Sequence, residues 1–237
     1  MTAIISTIEA LLKSNATLSP EKAAMFFKTG PGMYGAHDRF IGVPVPKIRH
    51  IAKDFKDLKR DDLSILIASP FNEMRFLALV ILTHNYQKSS EDHKKEWVDF
   101  YLNHKAHVNN WNLVDASAHL ILGDYLLHRD KNSLLELAQS NVLWDRRIAI
   151  VATWAFIKNH DLTWTFRLAE KLLHDTEDLM HKAVGWMLRE AGKRNVLALE
   201  SFLHTHKTTM PRTMLRYALE KFPKEQREDF MARDSIL

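Results

Sequence analysis

The stretch Arg147-Ile148-Ala149-Ile150-Val151-Ala152-Thr153-Trp154 decides the fold, because its pattern returns along the chain. Arg75 precedes Phe-Leu-Ala-Leu-Val-Ile-Leu, Asp115 precedes Ala-Ser-Ala-His-Leu-Ile-Leu, and Lys182 precedes Ala-Val-Gly-Trp-Met-Leu. Arg212 precedes Thr-Met-Leu-Arg-Tyr-Ala-Leu. From Arg75 to Arg212 the successive spacings are 40, 32, 35 and 30 residues. A polar residue leading an apolar block at this period, two helices per unit, is the pattern of a HEAT-like solenoid. The expected class is all-α: an α-α superhelix whose second helices line a concave, basic groove.

Working outward, the helix pairs are expected at 61–68 with 71–87, 91–106 with 111–127, 131–139 with 143–160, 163–174 with 178–193, and 196–204 with 211–222. Before them, 4–14 reads as a helix. Ser19-Pro20-Glu21 starts a second, running into 23–27, with proline at its first position. Pro46 opens a third, with Ile48, Ile51, Ala52 and Phe55 on one face. Residues 224–237 read as a short terminal helix with a frayed tail. Four of the seven glycines and three of the seven prolines fall between Gly30 and Pro46, so 29–45 is expected to be an ordered loop. The rest of the chain has little strand or turn punctuation.

Composition narrows the function. The 237 residues suit one large domain or one array of repeats, taken here as a single domain over 1–237. There are no cysteines, which excludes disulfides, thiolate metal sites and a cysteine nucleophile. No apolar run approaches the roughly 20 residues of a membrane span. The N-terminus lacks the basic region and cleavage site of a secretion signal. The net charge of +4 permits a polyanionic partner without requiring one.

The candidate site lies at Asn109-Asn110-Trp111-Asn112-Leu113-Val114-Asp115-Ala116-Ser117. Asn109 and Asn110 are good helix caps. Trp111 and Asp115 are four residues apart and share a helical face. An aromatic face beside a carboxylate suits a ligand carrying positive charge. Four of the five equivalent repeat positions are basic (Arg75, Arg147, Lys182 and Arg212), and the middle one is Asp115. Further positive charge lies at Arg146, Arg189, Lys193 and Arg216. Such a column suits phosphates, and the surrounding cations are expected to keep Asp115 ionised. Trp144 shares a face with Arg147, and Trp186 with Arg189. Trp97, Trp154 and Trp164 lie in apolar runs and read as core.

Long segments, in order, resemble bacterial DNA alkylation-repair proteins of the AlkD family of HEAT-like DNA glycosylases. They are Phe40-Ile41-Gly42-Val43-Pro44-Val45-Pro46, Asn109 to Asp115, Leu143 to Ile150, His181 to Glu190, and Met210 to Tyr217. The resemblance implies a catalytic constellation of Asp115, Trp111 and Trp186, with Arg147 nearby. It implies release of cationic N3- and N7-alkylated purines from duplex DNA without flipping the base into a pocket. No cofactor or metal is implied. The chain would act as a monomer in the bacterial cytoplasm, on the nucleoid, with Arg146, Arg147, Trp144, Lys182, Arg189, Lys193, Arg212 and Arg216 binding DNA.

Two other readings use the same residues. A non-catalytic HEAT-like module would bind DNA or protein through the basic column and have no use for Asp115. A metal hydrolase would draw on the thirteen histidines, through His104/His107, His204/His206 or the cluster His174, Asp175, Asp178 and His181.

Overall fold

A computed structural model describes residues 2–232. Among these residues the regular structure is helical, an all-α class consistent with an α-α superhelix of paired helices. The one extended pairing among them is an isolated parallel bridge between Arg39 and Phe71. The chain divides into two compact units, Met1–Ser117 and Ala118–Leu237.

The first unit is organised around the helix Asn72–Lys88. It packs against Val45–Ala52, Arg60–Ile67, Glu91–Asn103 and Trp111–Ser117. Contacts on several sides explain why Phe76 to Leu82 is a continuous apolar run rather than an amphipathic stripe. The outer helix Ala3–Ser14 shows the alternative: only Ile5, Ile8 and Leu12, on one face, are buried. Each such side chain contributes on the order of 1.5–3 kcal/mol. The helix Pro20–Phe26 starts as expected, with the Ser19 hydroxyl accepting the Lys22 N–H at 3.3 Å.

Leu143–Lys158 plays the same part in the second unit. It packs on Asn132–Ala138, Thr163–Lys171, Asp178–Gly192 and the turn His119–Gly123. Asp178–Gly192 packs in turn on Val196–His206 and Arg212–Ala218. Gly185 allows the last approach: a Cβ there would lie 2.5 Å from the Met214 carbonyl oxygen.

Helices are present over each of the expected stretches, with shifted boundaries. The expected helix over 111–127 is broken. Trp111–Ser117 is α-helical, His119–Gly123 is a π-helical turn, and Asp124–Leu126 resumes the α form. The Gly123 N–H reaches back five residues, to the Ala118 carbonyl at 2.9 Å. The expected helix over 211–222 ends at Ala218, and the terminal helix is Lys224–Met231. The tail expected over 233–237 lies outside the described residues.

Trp97, Trp154 and Trp164 are half-buried, not core. Arg60 lies over the Trp97 ring at 4.5 Å and Arg167 over Trp164 at 4.7 Å, and the Trp97 Nε1–H donates to Ser89 Oγ at 2.7 Å. An indole carries a donor and a face that attracts cations, so it settles at the edge of an apolar layer.

Candidate active site

Trp111 and Asp115 stand one turn apart on the short helix Trp111–Ser117, and both are half-buried. Together they line a cavity of about 650 Å³ in the first unit. Its wall is largely aromatic and aliphatic, and includes Phe26, Phe27, Phe40, Val43, Ile48 and Phe76. The Trp111 ring stacks on Phe27 at 5.0 Å and 15°, and Phe26 meets it edge-on at 5.6 Å. Phe27 stacks on Phe40 at 4.7 Å. The indole is therefore held by packing on two sides. Phe26 itself is 65% exposed. Lys22 and Arg49, both exposed, add positive charge to the lining.

Trp111 and Asp115 stand where their spacing predicts, whereas the phenylalanines around them do not follow from spacing. The local signal was Phe26-Phe27 at the end of a proline-capped helix and Phe40 before a Gly-Val-Pro turn.

Buried charges hold the loop that carries Phe40. The Glu73 carboxylate, 5% exposed, accepts the Ile41 N–H at 3.0 Å and the Gly42 N–H at 2.8 Å. Gly42 has φ +94, and a Cβ there would meet the Leu18 carbonyl oxygen at 2.1 Å, so the position requires glycine. Nearby, Asp38 accepts hydrogen bonds from the Arg75 guanidinium, from Asn72 Nδ2 at 3.0 Å and from Asn110 Nδ2 at 2.5 Å. Arg75 also donates to the Ser69 carbonyl at 2.8 Å and is 2% exposed. It is a strut of the first unit, and so leaves the expected basic column. Asn110 directly precedes the helix, and its Oδ1 accepts the adjacent Trp111 N–H at 2.7 Å rather than an N–H further along.

The other predicted residues lie in the second unit. Trp186, half-buried, meets Trp154 edge-on at 5.1 Å, and Trp154 lies 4.4 Å from the His119 ring. Trp144 is 8% exposed and Arg147 5%, with Arg147 Nη1 donating to the Leu179 carbonyl at 2.7 Å. That burial departs from direct contact with a phosphate backbone. Through that bond Arg147 ties Leu143–Lys158 to Asp178–Gly192.

Arg146 bonds Asp175 at 2.6 Å and the Ser140 carbonyl at 3.0 Å. Arg189 pairs with Glu220, and with Glu190 at 3.2 Å. Lys193 reaches Glu190 at 2.7 Å, and Lys182 reaches Asp178 at 2.7 Å. The Lys182 ammonium holds the Asp178 carboxyl below its ordinary value. Arg212 and Arg216 are exposed. The exposed Lys182–Asp178 pair is weak, so a polyanion can compete for its cation, whereas the Arg146–Asp175 pair is largely buried.

Two of the histidine candidates for a metal bond backbone carbonyls instead. His104 Nδ1 lies 2.8 Å from the Phe100 carbonyl, and His181 Nε2 lies 2.5 Å from the Asp175 carbonyl. Among the described residues, no group of three or more His, Asp or Glu is placed to hold a metal. Among them too, no helix is long and apolar enough to cross a membrane.

Residues 8–222 match a family model described as DNA alkylation repair enzyme. A comparison with curated proteins gives no match. Among solved structures, a "Predicted DNA alkylation repair enzyme from Enterococcus faecalis" is 20% identical, with a TM-score of 0.66 over 88% of this chain and 98% of that one. At that identity the likeness shows the fold.

Proposed function

The chain belongs to the family of DNA alkylation repair enzymes, and from that premise we propose that it is a monofunctional DNA glycosylase. It would hydrolyse the N-glycosidic bond of cationic N3- and N7-alkylated purines in duplex DNA, without base flipping. The observation that carries this reading is the pairing of Asp115 with a packed Trp111, one turn apart on the wall of one cavity.

The chemistry needs little more. Cleavage of an N-glycosidic bond passes through an oxocarbenium-like sugar. Ordinary glycoside cleavage needs an acid for the leaving group and a carboxylate for the cation. A base alkylated at N3 or N7 is already cationic and leaves neutral, so the acid is unnecessary. Asp115 would stabilise the sugar cation and orient the attacking water. Trp111, fixed by Phe27 and Phe26, would present its ring to the deoxyribose, a contact worth roughly 0.5–2 kcal/mol. Trp186 is assigned the same work by resemblance.

Lys182, Arg189, Lys193, Arg212 and Arg216 would contact the DNA backbone. Arg146, Arg147 and Trp144 would support the helix beside them. Contacts to phosphate carry no sequence information, so binding would be strongly salt-dependent and nearly independent of sequence. The protein would act as a monomer in the bacterial cytoplasm.

Mass spectrometry of the bases released from methylated duplex tests the reading. Free 3-methyladenine or 7-methylguanine, with an abasic but uncut strand, is expected. Tight duplex binding with no free base would leave a non-catalytic DNA-binding module.

A further inference from the structure

We propose that Asp38 is a positioning residue, whose buried carboxylate fixes the helix turn that carries Trp111 and Asp115. The role in catalysis rests on the glycosylase reading above.

The Trp111–Ser117 helix has seven residues, too few to hold a conformation alone. Its orientation must come from its surroundings. The Asp38 side chain is wholly buried (0% exposed) and lies 72 residues before Asn110. Asn110, also 0% exposed, joins the two. Its Oδ1 accepts the Trp111 N–H at 2.7 Å and its Nδ2 donates to Asp38 at 2.5 Å. This orientation of the amide is the one that fits, because the reverse would set an oxygen against a carboxylate. The Asn110 carbonyl then accepts the Leu113 and Val114 N–H groups at 3.1 and 3.2 Å.

A second strand of the network runs through Asn72, which donates to Asp38 at 3.0 Å and accepts from Asn112 Nδ2 at 2.8 Å. Both residues flanking Trp111 are thus tied, directly or through Asn72, to one carboxylate. Arg75 supplies the opposite charge. The exposed His37 ring lies 3.3 Å from the same carboxylate. A buried ion pair is a poor route to stability compared with apolar packing. It is a good route to direction, because each of its bonds has a required geometry.

Asp38→Asn keeps the size but turns an amide donor towards donors. Single-turnover release of 7-methylguanine is expected to fall about 100-fold, the cost of a misplaced reacting group. Duplex affinity should change by less than about three-fold, because the backbone-binding cations are untouched. Hydrogen exchange over 110–117 should quicken, while that over 163–171 should not. Added to Asp115→Asn, the substitution should cost almost nothing more, because it acts through a group already removed.

If Asp38→Asn does not fold, Asn110→Ala cuts the link alone and should give the same pattern. Parent-rate release by either folded variant overturns the proposal. So does unchanged exchange over 110–117, or losses that multiply in the double variant. A parent that releases no base, with exchange quickened in the variant, sinks the glycosylase reading and leaves the structural link intact.

Discussion

The helices Asn72–Lys88 and Asp178–Gly192 carry a cation at the same repeat position and use it in opposite ways. Arg75 is 2% exposed and spends its charge on Asp38 and the Ser69 carbonyl. The Lys182 side chain is 39% exposed, pairing with Asp178 one turn before it. Register along a solenoid fixes where a side chain leaves its helix. What it meets depends on the segment packed against that point. A loop bearing a carboxylate faces Arg75, and a column of cations read from register alone counts a strut as a ligand.

The largest expected break in this comparison is in stability. Arg75→Met leaves the Asp38 carboxylate buried without its countercharge, and should cost about 3–5 kcal/mol. Lys182→Met removes an exposed pair and should cost no more than about 1 kcal/mol. Urea unfolding of the two variants measures the difference. Equal losses would mean that burial does not separate the two positions.

A smaller effect sharpens the comparison from the exposed side. Replacing Arg212 and Arg216 together with Gln should lower the slope of log K against log salt by about 2, roughly 0.9 per lost phosphate contact. Fluorescence anisotropy with undamaged duplex at several salt concentrations reads it. An unchanged slope would move the DNA contacts elsewhere.

The smallest effect is a pH dependence in the first unit. Burial first, then His104 and Arg75, pushes the His107 pKa below its ordinary value. The unfolded chain therefore binds its proton more readily than the folded one. Stability rises with pH in that window, and falls as pH drops below about 6.5 towards the folded value. His107→Gln should flatten the dependence of Tm on pH there. A Tm profile identical to the parent's would assign the acid sensitivity to other groups.

The fold was legible because the apolar blocks repeat and the breakers cluster before Pro46. The π turn at His119–Gly123 was not, because an apolar run looks alike whether its bonds span four residues or five. Trp111 and Asp115 could be paired from spacing, since a helix sets that distance by itself. Asp38, Glu73 and Phe40 could not be joined to them. The bond between Asp38 and Asn110 crosses 72 residues of chain and that between Glu73 and Gly42 crosses 31, and nothing local in the loop names the partner. The same holds for Trp144 and Arg147, whose burial depends on neighbouring helices and not on their own.

The central claim is that one carboxylate, Asp115, carries the chemistry. Single-turnover excision of 7-methylguanine from duplex by Asp115→Asn, read beside duplex affinity, tests it most directly. Excision should fall about 100- to 1,000-fold, as for loss of a well-placed electrostatic group, with affinity nearly unchanged. Excision at the parent's rate would contradict the account.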